Sequence, residues 1–295
     1  MKFICIAAMA LLLHSCNRKT AAVSQANNNS ILPDAQLLGV HSAKDLQQAP
    51  FNEWFNKNYA AYNIDSAAAS QLTLLLKNKK IELFMGTWCG DSKREVPRIF
   101  KILDYCGVRP SQVKMVMVDN HDSTYKQSPA HEERGKFIHR VPCLIVYDKG
   151  IEMNRIVESP VVSLEKDLVA IVQAKAYEPN YRGAAFLQQQ LKEKSFPALQ
   201  ADTAALNARL KPLVRNSAEL NSLGYVWMAA GELDQALLAF ELNAGLFPAN
   251  ANVYDSLGEI NLKLNNTKAA KLYYKKVLEL QPANANALKM LAQLN

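Results

Sequence analysis

Cysteine is scarce in this chain: five among 295 residues, at Cys5, Cys16, Cys89, Cys106 and Cys143. They are too few and too widely spaced for a disulfide framework, and no two stand at zinc-ligand spacing, so they read as separate thiols with separate jobs. The apolar run that opens the chain, ending at Leu13, falls short of the roughly 20 residues that a membrane-crossing helix needs. Also missing is a stripe of Lys and Arg interleaved with aromatics. The formal charge of +7 is scattered, which excludes a nucleic-acid site and reads as a solvated basic face with some affinity for anionic surfaces. What is present is ordinary globular composition, 49% hydrophobic and 21% charged, in a chain long enough for two domains.

"MKFICIAAMALLLHSC" begins with the single charge of Lys2, continues apolar to Leu13, and reaches small Ser15 before Cys16. This is the layout of a secretion signal over residues 1–15. Leu13-His14-Ser15-Cys16 resembles the lipobox of bacterial lipoproteins, with His14 departing from the small or aliphatic residue usual there. That resemblance implies an acylated Cys16, a membrane anchor, and a bacterial-envelope protein facing the periplasm. The alternative is an ordinary signal cleaved nearby. Polar residues 16–35 would be a flexible tether, and Cys89, Cys106 and Cys143 would remain for chemistry in a compartment that permits disulfides.

Between residues 36 and 178 the pattern alternates. An aromatic and then helical approach, "FNEWFNKNYAAYNIDSAAASQLTLLLKNKK", leads into the apolar run "IELFMGTW" (81–88), read as a buried strand. Directly after it comes Cys89 and a segment with Val96, Ile99, Phe100, Ile102 and Leu103 at helical spacing. "VKMVMVD" (113–119) and "VPCLIVY" (141–147) read as further buried strands. "IEMNRIV" (151–157) reads as a hairpin partner across Asp148-Lys149-Gly150, and 163–176 as an amphipathic helix capped by Ser163.

A cysteine at a helix N-terminus faces unpaired N–H groups and the positive dipole end, which favour the thiolate, the attacking species in disulfide exchange. Lys93 and Arg94 are expected to add to that field and Asp91 to oppose it, giving a moderately reactive thiol. Trp88-Cys89-Gly90-Asp91-Ser92 resembles the Trp-Cys-Gly-x-Cys active site of the thioredoxin family. Pro97 stands where that family has a helix-kinking proline, and Val141-Pro142 where it has a cis-proline. The resemblance covers about residues 50 to 178, and the chain looks like the thioredoxin-family lipoproteins of bacterial envelopes that carry "WCGDS". It implies an α/β fold with a central sheet and flanking helices. It also implies roles for Trp88 beside the thiolate, for Ser92 as donor to the Cys89 sulfur, and for Pro142 in presenting backbone to an extended substrate.

Two departures weaken a dithiol reading. Ser92 cannot resolve a mixed disulfide, and Leu83 stands where the family often has a buried aspartate. A second thiol has one candidate, Cys143, directly after Pro142. It either reaches Cys89 or points into the core as a small hydrophobe. Cys106, at the far end of a helix rising about 1.5 Å per residue, is out of disulfide reach and reads as packing. His121, His131 and His139 precede the third strand. Thioredoxin-like copper carriers combine a His with two close cysteines, a pair absent here, so no metal and no cofactor is expected.

The C-terminal third repeats itself at a shift of 34 residues, with 222–252 lying over 256–286. Leu223-Gly224 pairs with Leu257-Gly258, Ala236 with Ala270, Phe240 with Tyr274, and Pro248 with Pro282. This period and pattern is identified as the tetratricopeptide signature, an all-α helical repeat. Two repeats plus a terminal helix span 216–295, and 179–215 reads as a helical connector with stretches placed to dock on the first repeat. The repeats either cap the preceding domain or offer a concave surface to a partner protein. The expected protein is thus an anchored monothiol thioredoxin-like exchanger, acting on a protein partner with a disulfide or thiol. Against it stand a redox-silent binding scaffold and a dithiol enzyme using Cys89 and Cys143.

Overall fold

The computed structural model describes residues 36–294. The signal segment 1–15, Cys16 and the tether 16–35 lie outside the described residues. Among the described residues no helix is long and apolar enough to cross a membrane.

The first half is a five-stranded mixed sheet with helices. The strands are β1 Gly39–His41, β2 Lys80–Met85, β3 Val113–Met117, β4 Cys143–Asp148 and β5 Ile151–Val157, in the order β1-β3-β2-β4-β5. Only β2 and β3 run parallel; every other pairing is antiparallel. Ahead of β2 come α1 Ala43–Leu46, α2 Asn52–Ala61 and α3 Ser66–Leu75. Helix α4, Gly90–Tyr105, follows β2, and α5, Leu164–Val172, follows β5.

Alternation along the strands divides the core in two. Ile81, Leu83 and Met85 of β2, with Leu144 and Val146 of β4, face α2 to α5 and pack on Phe55, Leu72, Ile99, Ile102 and Leu168. Phe84, Cys143, Ile145 and Val157 face the other way and form a second cluster with Val118, Ile138 and Val141. This second face is covered by the long segment between β3 and β4, which is largely loop and is pinned by backbone bonds such as Lys126 N to Asp119 O at 2.9 Å.

Several boundaries differ from the sequence reading: the run 113–119 is a strand only to Met117, the run 141–147 becomes one at Cys143, and the helix read over 163–176 ends at Val172. The strand expected over 81–88 ends at Met85, because Gly86–Trp88 turns into α4 with Cys89 N donating to Gly86 O at 3.0 Å. Strand β1 was not expected at all; three residues carry no readable alternation. Ser163 caps α5, its Oγ accepting from Lys166 N at 3.2 Å.

The second half is all helix: α6 Arg182–Glu193, α7 Phe196–Ala201, α8 Thr203–Leu210, α9 Ala218–Ala229, α10 Leu233–Leu246, α11 Ala251–Lys263, α12 Thr267–Leu280 and α13 Ala285–Leu294. Leu187, Leu199, Leu206 and Leu210 of the first three pack on Leu220, Leu223, Leu238 and Leu242 of α9 and α10. The pairs α9/α10 and α11/α12 share one packing device. Gly224 faces buried Phe240 and Gly258 faces buried Tyr274, with Ala236 and Ala270 fully buried and Leu223 and Leu257 in the core. Pro248 and Pro282 sit in the turns that leave α10 and α12.

A Cβ at Gly224 would lie 2.4 Å from the Phe240 ring. Glycine to alanine inside a helix ordinarily gains roughly 1 kcal/mol, but overpacking costs about 1–3 kcal/mol. Gly224→Ala is therefore expected to lower stability, by up to about 2 kcal/mol in urea titration; a gain would mean that the ring moves aside freely.

Candidate active site

Cys89 is the N-cap residue of α4, in extended backbone conformation (φ −82°, ψ 124°). The turn before it is tight. A Cβ on Gly86 would lie 2.4 Å from the Trp88 indole, so only glycine leaves that ring its place. Trp88 Nε1 donates to Val118 O at 2.9 Å, just beyond β3, and the Tyr125 ring lies 6.4 Å from the indole, tilted against it. Cys89 is half-buried, and its thiol donates to Val141 O at 3.3 Å. Val141-Pro142 is a cis peptide, Pro142 is buried, and its carbonyl accepts from Glu158 N at 2.7 Å. Trp88, Cys89 and Pro142 thus meet at one end of the sheet.

Two expectations about this turn need correction. Ser92 does not donate to the Cys89 sulfur. Its hydroxyl is fully buried and accepts from Gly86 N at 3.3 Å, because that N–H lies just past the end of β2 and needs an acceptor. Nor is Arg94 a free positive charge beside Cys89. Its Nη2 lies 2.7 Å from Asp91 and its Nε 2.6 Å from buried Glu95, which also takes Arg98 Nη1 at 3.2 Å. The cation is largely answered by these carboxylates.

All three described cysteines are free thiols. Cys143 lies opposite Phe84 and Val157 in the sheet, buried in the cluster at whose margin Trp88 and Cys89 pack. Burial pushes its thiol up to about 11. Cys106 is buried at the end of α4 and donates to Ala69 O at 3.4 Å; burial raises its thiol too. The histidines are dispersed. His121 bonds Ser123, His131 bonds Glu133 at 3.1 Å, and His139 is buried between Phe137 and Tyr181. Among the described residues no group of three His, Cys, Asp or Glu could hold a metal ion.

Around this turn the structure assembles charged residues that the sequence reading missed. Lys126 is buried, its Nζ donating to Tyr125 OH at 2.6 Å and to Ser222 Oγ, on α9, at 3.0 Å. Burial, aided by Arg140, pulls its ammonium down to about 7, against the pull of Cys89 and Glu158. Arg140 bridges Glu158 at 3.2 Å and Ala218 O at 2.7 Å, with its guanidinium 4.8 Å from the centre of the Tyr181 ring. Tyr181 OH in turn donates to Glu158. In the sequence these residues sit in polar stretches that read as solvated surface. Only their meeting with α6 and α9, far along the chain, buries them. Comparison of the chain with family models and with curated proteins finds no match in either.

Proposed function

We propose that this chain is a thioredoxin-like protein with a single reactive thiol, carried ahead of tetratricopeptide-type helix pairs, and that it acts in thiol–disulfide exchange. The observation that carries the reading is the setting of Cys89. It is the one half-exposed thiol among the described cysteines, at the start of a helix, flanked by Trp88 and by the carbonyl of Val141 before buried Pro142. In the exchange, the Cys89 thiolate attacks one sulfur of a substrate disulfide. The substrate S–S bond breaks, a Cys89–substrate disulfide forms, and the second substrate sulfur leaves as a thiolate that takes a proton from water. Ser92 has no thiol to release the adduct, so an external thiolate attacks its substrate sulfur; the Cys89–substrate S–S bond breaks and Cys89 leaves as the thiolate. A second external thiol then frees the substrate sulfur from the resulting mixed disulfide, the two external thiols ending as their own disulfide.

The helix pairs would hold the protein partner, and acylated Cys16 would anchor the chain to a bacterial envelope membrane on the periplasmic side. With its thiol raised to about 11, Cys143 is a weak nucleophile near neutral pH, which favours the single-thiol cycle over a Cys89–Cys143 pair.

The test is the rate at which a thiol reductant, glutathione, reduces a protein disulfide with and without this chain. Wild type and Cys143→Ser are expected to accelerate the reaction, and Cys89→Ser to lose the acceleration entirely. Acceleration retained by Cys89→Ser would overturn the redox reading. Loss in Cys143→Ser, with an internal Cys89–Cys143 peptide found by mass spectrometry, would replace it by a dithiol cycle.

A further inference from the structure

A cleft of about 760 Å³ lies between the loop after β3 and the helix pairs. One wall carries Tyr125 and Arg140; the other carries Ser222 and Tyr225 of α9 with Glu259 and Lys263 of α11. Two of its lining residues, Tyr125 and Arg140, neighbour the thiol turn. The Tyr125 ring packs against Trp88, the residue before Cys89, and Arg140 precedes Val141, whose carbonyl receives the Cys89 thiol.

The two walls are held together by hydrogen bonds that cross from one half of the protein to the other. Lys126 Nζ bonds Ser222 Oγ at 3.0 Å, Ser222 Oγ donates to His139 O at 2.9 Å, Gln127 Nε2 donates to Ala229 O at 2.8 Å, and Arg140 reaches Ala218 O. Lys126 also bonds Tyr125 OH, so one buried side chain fixes a group on each wall. Helix α9 is therefore tied at several points to the loop whose Tyr125 packs on Trp88.

We propose that this cleft is the binding site for the polypeptide whose disulfide Cys89 attacks. An extended segment would run from the thiol across α9 to α11, so that exchange and recognition share one continuous site. This rests on the exchange reading above and adds the substrate class and its path. The lining suits a polypeptide. It presents two tyrosine rings and several hydrogen-bonding groups, and its acidic and basic side chains balance, so it selects backbone and apolar side chains over either sign of charge. Tyr225 OH is already oriented by Glu259 at 2.9 Å. Neighbouring helices lie about 8–10 Å apart and an extended chain advances about 3.3 Å per residue, so crossing from α9 to α11 takes about three residues.

The test uses two nine-residue synthetic peptides with a central cysteine activated as a nitrothiobenzoate mixed disulfide. One carries a benzophenone residue three positions before the cysteine and the other three positions after it. Each is loaded onto Cys89 of the whole chain, irradiated and mapped. One of the two is expected to crosslink within residues 221–263, and its crosslinking there to fall at least severalfold in Tyr225→Ala at equal Cys89 loading. Peptides that load on Cys89 but crosslink only outside that span would overturn the cleft while leaving the exchange reading in place. Failure of both peptides to load on Cys89 would overturn both.

Discussion

Lowering the pH below about 6.5 is expected to destabilise this protein through His139, and His139→Phe is expected to remove most of that loss. The imidazole is buried, rings of Phe137 and Tyr181 lie 4.7 and 5.7 Å away, and neither ring nitrogen makes a hydrogen bond of good geometry. Burial, together with the charges of Lys126, Arg140 and Arg155, pulls its titration down to about 3; the Phe137 backbone works the other way and is outweighed. In the unfolded chain the same ring takes a proton near the ordinary 6.5. Between those two values the unfolded state binds a proton that the folded state refuses, so stability falls as the pH drops, by up to about 1.4 kcal/mol per pH unit. From pH 6.5 to 4.5 that is roughly 2–3 kcal/mol. Urea unfolding of wild type and His139→Phe at both pH values measures it. Parallel losses in the two proteins would show that the ring is not held neutral.

The second large effect has the same physics at the alkaline end. Burial brings Lys126 down to about 7 from its ordinary value of 10.5. Above pH 7 the folded state increasingly holds a neutral amine while the unfolded chain stays protonated until about 10.5. The unfolded state again binds the extra proton, so stability rises with pH across this window, by up to about 1.4 kcal/mol per unit. Between pH 7 and 9 the Lys126 contribution is expected to be roughly 2–3 kcal/mol, read as the difference between the profiles of wild type and Lys126→Met. The difference is needed because the buried Cys143 and Cys106 thiols keep protons that the unfolded chain gives up above about 8.5, and so lower both profiles alike. Above pH 10 the trend reverses. Burial and carboxylate neighbours hold the Tyr62 and Tyr147 hydroxyls protonated in the folded state beyond their ordinary value, and the unfolded chain then loses protons first. Parallel profiles of wild type and Lys126→Met from pH 7 to 9 would mean that water reaches the Lys126 amine.

These two residues mark where sequence reading stops. The apolar runs that became β2 to β5, the helix spacing after Cys89, the Ser163 cap, and the pairing of small residues with Phe240 and Tyr274 were legible, because each is written in local periodicity or in a repeated pattern. Trp88, Cys89 and Pro142 could be named, because the stretches around them resemble the active-site turn and the proline-bearing strand start of the thioredoxin family. The orientation of Ser92 was not legible, since it depends on an N–H freed at the end of a strand. Nor was the neutralisation of Arg94, since the side chains of Asp91 and Glu95 compete for it only once the helix forms. The Lys126, Arg140 and Glu158 cluster was hidden for a different reason. Charged residues in a polar stretch read as solvated, and only the docking of α6 and α9 against the loop removes them from water.

The measurement that bears most directly on the single-thiol account is the mass of the reduced chain, taken from residue 17 onward so that Cys5 and Cys16 are absent, after exposure to excess glutathione disulfide under native conditions, followed by peptide mapping. The account predicts one added glutathione, carried on the peptide containing Cys89, released by added thiol, with Cys106 and Cys143 recovered unmodified. An unmodified chain, an adduct on another cysteine, or an internal disulfide in place of the adduct would contradict it.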